Sequence, residues 1–337
     1  MAIDLRNFKR RKVLVTGGLG FIGSNLCLRL VGLGAKVTVV DSLIPEYGGN
    51  LFNIKGFENK LRVDIADMRD EHSMNYLVRG MDYIFNLAGQ ISHIDSMVDP
   101  YTDLEINTRS QLSLLESCKK YNKKTKIIYA GTRQVYGKPD YLPVDEKHPV
   151  NPIDVNGINK FAGEYYHILY YRVYGIQSTA LRLTNTYGPR QLVKHSRQGF
   201  MGWFVRKVLD DKQIQIYGDG RQKRDFNFVE DVVEALLMVA LNRRANGMIY
   251  NLGGDRPLSL KKLVKLMIRL TGKGSYKLVP FPPGKKPIDI GSYYADSRKI
   301  RQEIGWRPKI GIEEGLRRTF EYYRKYKNHY WFDGKNG

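Results

Sequence analysis

The sequence is poor in cysteine, in long apolar runs and in acidic residues. Only two cysteines occur in 337 residues, which excludes a disulfide framework. Both Cys27 and Cys118 fall in helical apolar patterns and are predicted to be buried and reduced. No apolar stretch approaches the length of a membrane span, and no signal-peptide core follows the basic N-terminal residues. The sequence therefore predicts a cytoplasmic protein without a membrane span.

The shortage of acidic residues leaves the chain strongly basic. There are 34 Asp and Glu against 55 Lys and Arg, a formal net charge of +21. Basic and aromatic residues alternate near the C-terminus, but the charge is spread along the whole chain and no nucleic-acid motif is present. We interpret the tail as an amphipathic helix with buried rings and expect no nucleic-acid partner. A basic cleft would suit a substrate that carries a diphosphate.

Internal repeats and low-complexity tracts are also absent, and what is present is a regular alternation of strand-like and helical patterns. Such alternation predicts a parallel sheet covered by helices on both faces, a Rossmann-type doubly wound α/β fold. The predicted strands are 13–15, 36–40, 61–63, 83–87, 126–130 and 178–183, and the helices between them lie near 20–33, 71–78, 101–121 and 155–174.

After Leu183 this alternation breaks, which predicts a second, smaller lobe. We assign 10–187 together with about 225–256 to the dinucleotide-binding domain. Residues 188–224 and 257–330 would form a discontinuous substrate-binding lobe. Because ligands of such folds bind at the carboxyl ends of the parallel strands, the loops after those strands are expected to carry the chemistry.

The loop after the first strand is rich in glycine and opens a helix. Gly17 permits the tight turn, Gly20 lets a pyrophosphate approach the backbone, and Gly23 lets the helix lie close to the strand. The second strand ends at Asp41, whose carboxylate would accept hydrogen bonds from the adenosine ribose and favour NAD over NADP. The other residues assigned to the cofactor are Phe21, Ile22, Asp64, Ile65, Leu87, Ala88 and Gly89.

Several loops then carry motifs in a characteristic order. They are Thr16 to Ser24, Asn86 to Gln90, Tyr129 to Gly137, Asn156 to Lys160, Arg182 to Arg190 and Gln222 to Phe226. Together they resemble the extended short-chain dehydrogenase/reductase family, in its nucleotide-sugar epimerase and dehydratase branch, from about residue 12 to 326. The resemblance implies bound NAD, a nucleotide-diphospho-sugar substrate, and a homodimer formed by helices 101–121 and 155–174.

The resemblance also implies roles for individual residues. Thr132 would bond the reacting hydroxyl, Lys160 the nicotinamide ribose, and Arg224 the diphosphate, where a planar bidentate donor is suited to the task. Asn185 would bond phosphate or sugar. The other residues assigned to the substrate are Gln90, Arg190, Gln215, Tyr217, Lys286 (where relatives usually have arginine) and Asp289.

One position departs from the family pattern. Asn156 stands four residues before Lys160, where the family has the tyrosine that takes the hydroxyl proton. An amide cannot accept a proton near neutral pH, so either another group acts as the base or hydride transfer has been lost. The alternatives for a base are Lys160 with a lowered pKa, the loop residue His93, and Asp154, which more simply reads as a helix cap.

The residues after Thr132 limit which reactions of the family are expected. Arg133 and Gln134 stand where 4,6-dehydratases carry Asp-Glu and where decarboxylases carry a glutamate, so both reactions are disfavoured. We predict an epimerase that forms a transient ketosugar, with local similarity to CDP-paratose/tyvelose 2-epimerases and to UDP-glucose 4-epimerase. A nucleotide-sugar dehydrogenase or reductase, and a non-catalytic binding protein, remain alternatives. No metal site is predicted.

Overall fold

A parallel seven-stranded sheet forms the centre of the fold. A computed structural model describes residues 3–282 and 289–331. The sheet has the strand order β3-β2-β1-β4-β5-β6-β11, and every neighbouring pair is parallel. The strands of this sheet are β1 Lys12–Thr16, β2 Lys36–Asp41, β3 Arg62–Ile65, β4 Tyr83–Asn86, β5 Lys126–Thr132, β6 Gln177–Leu183 and β11 Ile249–Leu252. Short two-stranded sheets are formed by β7 Asn185–Tyr187, β8 Gln213–Tyr217, β9 Lys223–Arg224, β10 Phe226–Phe228, β12 Leu258–Ser259 and β13 Ser275–Val279.

Helices cover both faces of this sheet, which confirms the doubly wound α/β prediction. The apolar side chains of β1 and β5 are buried because helices pack on each side of them. The helices are α1 Phe21–Gly32, α2 Glu71–Leu77, α3 His93–Val98, α4 Pro100–Leu104, α5 Ser110–Tyr121, α6 Val155–Tyr174, α7 Phe200–Leu209, α8 Val229–Leu241, α9 Leu260–Thr271, α10 Arg298–Glu303 and α11 Ile312–Tyr326.

The helical segment predicted over 101–121 is interrupted. A π-helical turn, Glu105–Arg109, separates α4 from α5. Within this turn, the buried Asn107 exchanges two hydrogen bonds with the backbone of Gln90, at 2.9 and 3.2 Å. A wider turn of this kind re-aims one side chain without ending the helix, and such turns are frequent at functional sites.

A second apolar cluster lies outside the main sheet. It collects residues of α7, α9 and α11 with the short sheets β7–β10 and β8–β13. The aromatic residues of α11 pack into it, as expected for an amphipathic tail helix. β10 pairs with β7 and not with the main sheet, although the sequence assigns both segments to the dinucleotide-binding domain, whereas β11 pairs with β6 of the main sheet. The division into two lobes stays a prediction.

Other groups lie inside the first lobe. Cys27 and Cys118 are buried and free, as predicted. Glu164 of α6 and Arg182 of β6 form a buried ion pair with two hydrogen bonds of 2.6 and 2.9 Å. Although burial lowers the pKa of Arg182, the Glu164 carboxylate raises it above the usual value. The pair is therefore expected to remain ionised.

Removing one member of this pair tests its contribution. Glu164→Gln should lower the free energy of unfolding by about 3 kcal/mol, because it leaves the Arg182 guanidinium buried without a counter-charge. Adding Arg182→Met to that variant should recover part of the loss. The exposed pair of Glu105 and Arg109 is the control, and Glu105→Gln should change stability by at most about 0.5 kcal/mol. Urea unfolding checks this, and equal effects of the two Gln variants would contradict it.

Candidate active site

One large cleft runs along the carboxyl ends of the strands, between the sheet and the second cluster. Its volume is about 780 Å³. The strand order reverses between β1 and β4, and the loops after these two strands meet there. A crevice at such a reversal is where open α/β sheets bind their ligands.

The loop between β1 and α1 forms a cradle of backbone. Gly17 has a φ of +66°, and a Cβ there would lie 2.9 Å from Ala88 of the neighbouring loop. A Cβ at Gly23 would lie 2.1 Å from the carbonyl oxygen of Gly17. Gly20 precedes α1 and adds no capping side chain, so the first N–H groups of the helix are left for a ligand. The cradle therefore fits a dinucleotide pyrophosphate.

Asp41 ends β2 beside this cradle and lines the cleft. Its carboxylate accepts hydrogen bonds from the backbone N–H of Leu19, at 3.0 Å, and of Leu43, at 2.9 Å. Burial raises the pKa of Asp41, and these backbone bonds oppose the rise. The residue is thus held in the position that the sequence assigns to a ribose-binding carboxylate.

Two residues that the sequence assigns to the cofactor, Asp64 and Ile65, do not line the cleft. Asp64 bonds Arg62 on the same strand at 2.8 Å, and the side chain of Ile65 is 56% exposed. The cleft is lined instead by the loop directly after β3, residues 66–69. Asp64 and Ile65 still belong to β3, whose side chains face away from the cleft. Only the loop beyond the carboxyl end of β3 turns toward the cleft. Phe21, Ile22, Leu87, Ala88 and Gly89 line the cleft.

The inner end of the cleft brings Thr132 and Lys160 together. Thr132 is the last residue of β5, and its hydroxyl accepts a hydrogen bond from the Gln134 N–H at 3.2 Å. Lys160 of α6 is buried, and its Nζ donates to the Ala130 carbonyl at 2.9 Å. Burial lowers the pKa of Lys160 to about 8, although the acids Asp103 and Glu164 oppose the shift.

Asn156 borders the same end of the cleft and is tied to a buried network. Its Nδ2 donates to Gln90, at 2.8 and 3.0 Å, and to the Asp103 carboxylate at 2.9 Å. The other oxygen of Asp103 accepts from Asn159 at 2.8 Å. The Oδ1 of Asn156 is buried, with no hydrogen-bond partner within the described ranges. Three acceptors around Nδ2 thus fix the orientation of an amide that cannot take a proton.

Gln90 therefore lies behind the cleft. It is 2% exposed and does not line the cavity, and its side chain bonds Ser92 and Asn156. Its assignment to substrate binding is wrong in this structure, because the chain after β4 turns inward at Gln90 to meet the π-helical turn. The residue supports Asn156.

His93 lies at the mouth of this region as the first residue of α3. Its Nδ1 is paired with the carboxylate of Asp154, and its Nε2 faces the side-chain amide of Gln134 at 2.6 Å. In the tautomer that carries its proton on Nδ1, His93 donates to Asp154 and Nε2 accepts from the side-chain amide of Gln134. Burial raises the pKa of Asp154, but the interaction with His93, the hydrogen bond from the Gly157 N–H and the charge of Arg133 together outweigh burial and lower the pKa overall.

Asp154 also caps α6. Its other oxygen accepts from the Gly157 N–H at 2.7 Å, as predicted for a helix N-cap. The same carboxylate therefore fixes the helix that carries Asn156 and Lys160 and orients the His93 ring. The sequence suggested each residue separately but gave no signal for their pairing, since 61 positions separate them.

Segments outside the main sheet contribute the outer wall of the cleft. Arg224 of β9 is buried, donates to the Lys223 carbonyl at 2.9 Å, and lies 4.0 Å from Asp289. Burial, together with Arg133, lowers the pKa of Arg224 to about 10, and Asp289 opposes this. Asn185, Gln215, Tyr217 and Asp289 also line this wall. Lys286 lies outside the described residues.

Arg190 has a structural position instead of a place in the cleft. Its guanidinium donates to the Asn53 carbonyl and to Asn25 Oδ1, both at 3.0 Å, and lies over the ring of Tyr322. It does not line the cavity, and the next residue, Gln191, does. The assignment to substrate is wrong because Arg190, with a φ of +72°, turns its side chain back toward α1.

The described part of the chain contains no helix long and apolar enough to cross a membrane. Over the same residues, no group of three or more His, Cys, Asp or Glu side chains is arranged to hold a metal ion.

Comparison with known proteins identifies the class. Residues 13–253 match the model of the NAD dependent epimerase/dehydratase family. The chain belongs to this family, and its cofactor is NAD. The resemblance drawn from the motifs is thereby confirmed, and the activity is that of an NAD-dependent nucleotide-sugar epimerase or dehydratase.

Individual relatives cover nearly the whole chain. The chain is 36% identical over 313 residues to a putative UDP-glucose 4-epimerase of Methanocaldococcus jannaschii, covering 91% of this chain and 96% of the relative. It is 30% identical over 341 residues to CDP-paratose 2-epimerase of Salmonella typhi, covering 92% and 98%. The solved UDP-glucose 4-epimerase of Thermotoga maritima with UDP-glucose matches with a TM-score of 0.85 at 33% identity, covering 94% and 99%.

Asp41 provides a test of the cofactor site. Asp41→Asn should weaken NAD binding by about 2 kcal/mol, roughly thirtyfold, and narrow its advantage over NADP, because a charge-assisted acceptor for the ribose is lost. Asp64→Asn, outside the cleft, is the matched control and should leave NAD affinity unchanged. Titration calorimetry with both dinucleotides measures this. Wild-type protein that prefers NADP, or equal losses in the two variants, would contradict the assignment.

Proposed function

We propose that the protein is an NAD-dependent nucleotide-diphospho-sugar epimerase that acts through a transient ketosugar. The observation that carries the proposal is the pairing of His93 with Asp154, since His93 lines the same cleft as Thr132 and Lys160. It supplies a proton acceptor to a cleft in which position 156 has none. Arg133 and Gln134 supply no acid or base for water elimination or decarboxylation, which favours epimerisation over those reactions.

The substrate would lie along the cleft from the second lobe to Thr132. Arg224 and Asn185 would bind its diphosphate, because a guanidinium and an amide donor suit phosphate oxygens. Gln215, Tyr217 and Asp289 would contact the nucleotide. This places the sugar ring at the inner end, next to Thr132 and His93.

NAD, held by the glycine loop before α1 and by Asp41, would supply the hydride acceptor and hydride donor that such an epimerisation needs. Thr132 would hold the reacting hydroxyl. His93 Nε2 would take its proton as the carbonyl forms, and would give the proton back when the hydroxyl is restored. For this, Gln134 must release Nε2. Asp154 stabilises the imidazolium that results, as a carboxylate does for a catalytic histidine.

Lys160 has a different role in this proposal. It keeps a positive charge near the reacting oxygen and binds the nicotinamide ribose, as the resemblance implies. With a pKa near 8, it is also the second candidate for the base. If His93 is the base, its substitution should lower turnover. If Lys160 is the base, substitution of His93 should leave turnover largely unchanged.

His93→Asn should lower kcat by about a hundredfold or more, the usual contribution of a general base, and leave binding of NAD and nucleotide sugar intact. The matched control is His72→Asn on the exposed start of α2, which should not change turnover. Single-turnover absorbance of reduced nicotinamide and product analysis with UDP- and CDP-hexoses provide the readout. An active His93→Asn variant together with an inactive Lys160→Met variant would transfer the base to Lys160.

Asn156→Tyr supplies a complementary arm of this test. A phenol at position 156 would break the bonds to Gln90 and Asp103 and crowd the pocket. If His93 already accepts the proton, turnover should fall. A rise in turnover would show that wild-type protein has no effective base, and a wild type that never reduces bound NAD would instead favour the binding-protein alternative.

We also propose that the protein is a homodimer through the face of α4 and α6. Exposed apolar side chains cover this face, namely Tyr101, Leu104, Ile158, Tyr165 and Leu169. The last three recur every seven or four residues along α6 and so lie on one side of the helix. An apolar surface of this kind is typical of an interface between copies.

Light scattering tests the dimer. Leu169→Lys should convert the protein to a monomer at micromolar concentration, because a charge would be placed at the centre of the interface. Met248→Lys is the control, since both residues are 40% exposed but Met248 lies on another surface. A wild-type monomer, or dissociation by both variants, would argue against this interface.

A further inference from the structure

A second guanidinium, that of Arg133, borders the inner half of the cleft. Arg133 follows Thr132 directly and begins the short 3-10 turn Arg133–Tyr136. Within the described ranges, no carboxylate lies within 4.0 Å of it and no side-chain nitrogen of it makes a hydrogen bond. Its guanidinium lies 5.3 Å from the ring centroid of Tyr293, which is fully buried. The cation is thus held in place by a ring and left without a counter-ion.

Arg133 lies between the two ends of the cleft. The next residue, Gln134, faces His93 at 2.6 Å, and Tyr293, whose ring lies beside the Arg133 guanidinium, forms a β-bridge with Arg224. Burial lowers the pKa of Arg133, and Tyr293, Asp225, Asp154 and Asp289 oppose the shift. Asp154 belongs to the His93 pair at the inner end, and Asp289 lies beside Arg224 at the diphosphate end. Arg133 therefore lies where the sugar of a bound nucleotide sugar would pass.

A partly buried cation without a partner calls for an anion. Removing a charge from water is costly unless it is paired, and none of the described acids lies within ion-pair distance of Arg133. Asp154 pairs with His93, and Asp289 faces Arg224. Burial raises the pKa of Asp225 to about 7, and Oδ1 of this carboxyl has no hydrogen-bond partner among the described residues, Arg133 included.

We propose that Arg133 binds a carboxylate on the sugar, so that the substrate class is a nucleotide-diphospho-sugar whose sugar carries an acid group, such as a hexuronic acid. A guanidinium presents two parallel N–H donors that match the two oxygens of a carboxylate. This inference rests on the proposed nucleotide-sugar function of the cleft and adds the chemical class of the sugar to it.

A rival role for Arg133 is to share the diphosphate with Arg224, whose pKa it lowers by repulsion. The two roles differ in what they predict for ligands that share a diphosphate. If Arg133 binds the diphosphate, its substitution should weaken the binding of UDP itself. If Arg133 binds a carboxylate, its substitution should weaken only the binding of nucleotide sugars that carry an acid group.

The experiment compares UDP, UDP-glucose and UDP-glucuronic acid by calorimetry on the NAD-loaded full chain. Wild-type protein should bind UDP-glucuronic acid at least tenfold more tightly than UDP-glucose. Arg133→Met should abolish that difference and leave UDP affinity unchanged, and Arg133→Lys should retain part of it. Arg221→Met is the matched control, since this arginine is exposed near the same wall and pairs only with Asp219 among the described residues.

Each result decides the matter. A ratio near one in wild type, or an equal loss for UDP and UDP-glucuronic acid in Arg133→Met, overturns the inference while the nucleotide-sugar proposal stands. If no UDP ligand binds, GDP-mannose and GDP-mannuronic acid provide the same comparison. If NAD binds and neither pair does, the nucleotide-sugar function itself fails. Thermal melting of the two Arg133 variants separates a binding effect from misfolding.

Discussion

The rest of the structure depends on the close approach of two backbone loops at the strand reversal. The loop after β1 and the loop after β4 come so near that a single Cβ at Gly17 would lie 2.9 Å from Ala88. This contact leaves a groove at the N-terminus of α1 in which backbone groups are not covered by side chains. Because all seven strands are parallel, their carboxyl ends bring Asp41, Thr132 and the second lobe to the same groove. Cofactor and substrate are thus forced to share one cleft.

The second constraint is the buried carboxylate of Asp103. It is 1% exposed and is satisfied by the amides of Asn156 and Asn159, which lie on one face of α6. A tyrosine at position 156 could not make these bonds. The amide at position 156 is thus part of a buried polar network, and in our proposal the proton chemistry belongs to His93 and Asp154 on the neighbouring elements.

Two of the arginines that line the cleft differ in how their positive charges are compensated. Arg224 has Asp289 and two backbone carbonyls near it. Arg133 has an aromatic ring and open cleft. This asymmetry underlies the assignment of the diphosphate to one arginine and of an acidic sugar to the other, and it accords with the excess of basic over acidic residues.

By itself, the sequence determined the doubly wound fold, the glycine loop before α1, the bounds of α6 and the amphipathic character of α11, and it singled out Asp41, Thr132 and Lys160, which line the cleft. These depend on local spacing, since a strand, a turn and a helix begin and end on nearby residues. Tertiary structure alone decided which side chains enter the cleft. Asp64, Ile65, Gln90 and Arg190 lie in or next to the right loops, yet their side chains point elsewhere. The pairing of His93 with Asp154 and the unpaired Arg133 likewise depend on contacts between distant segments, whose geometry no local pattern encodes.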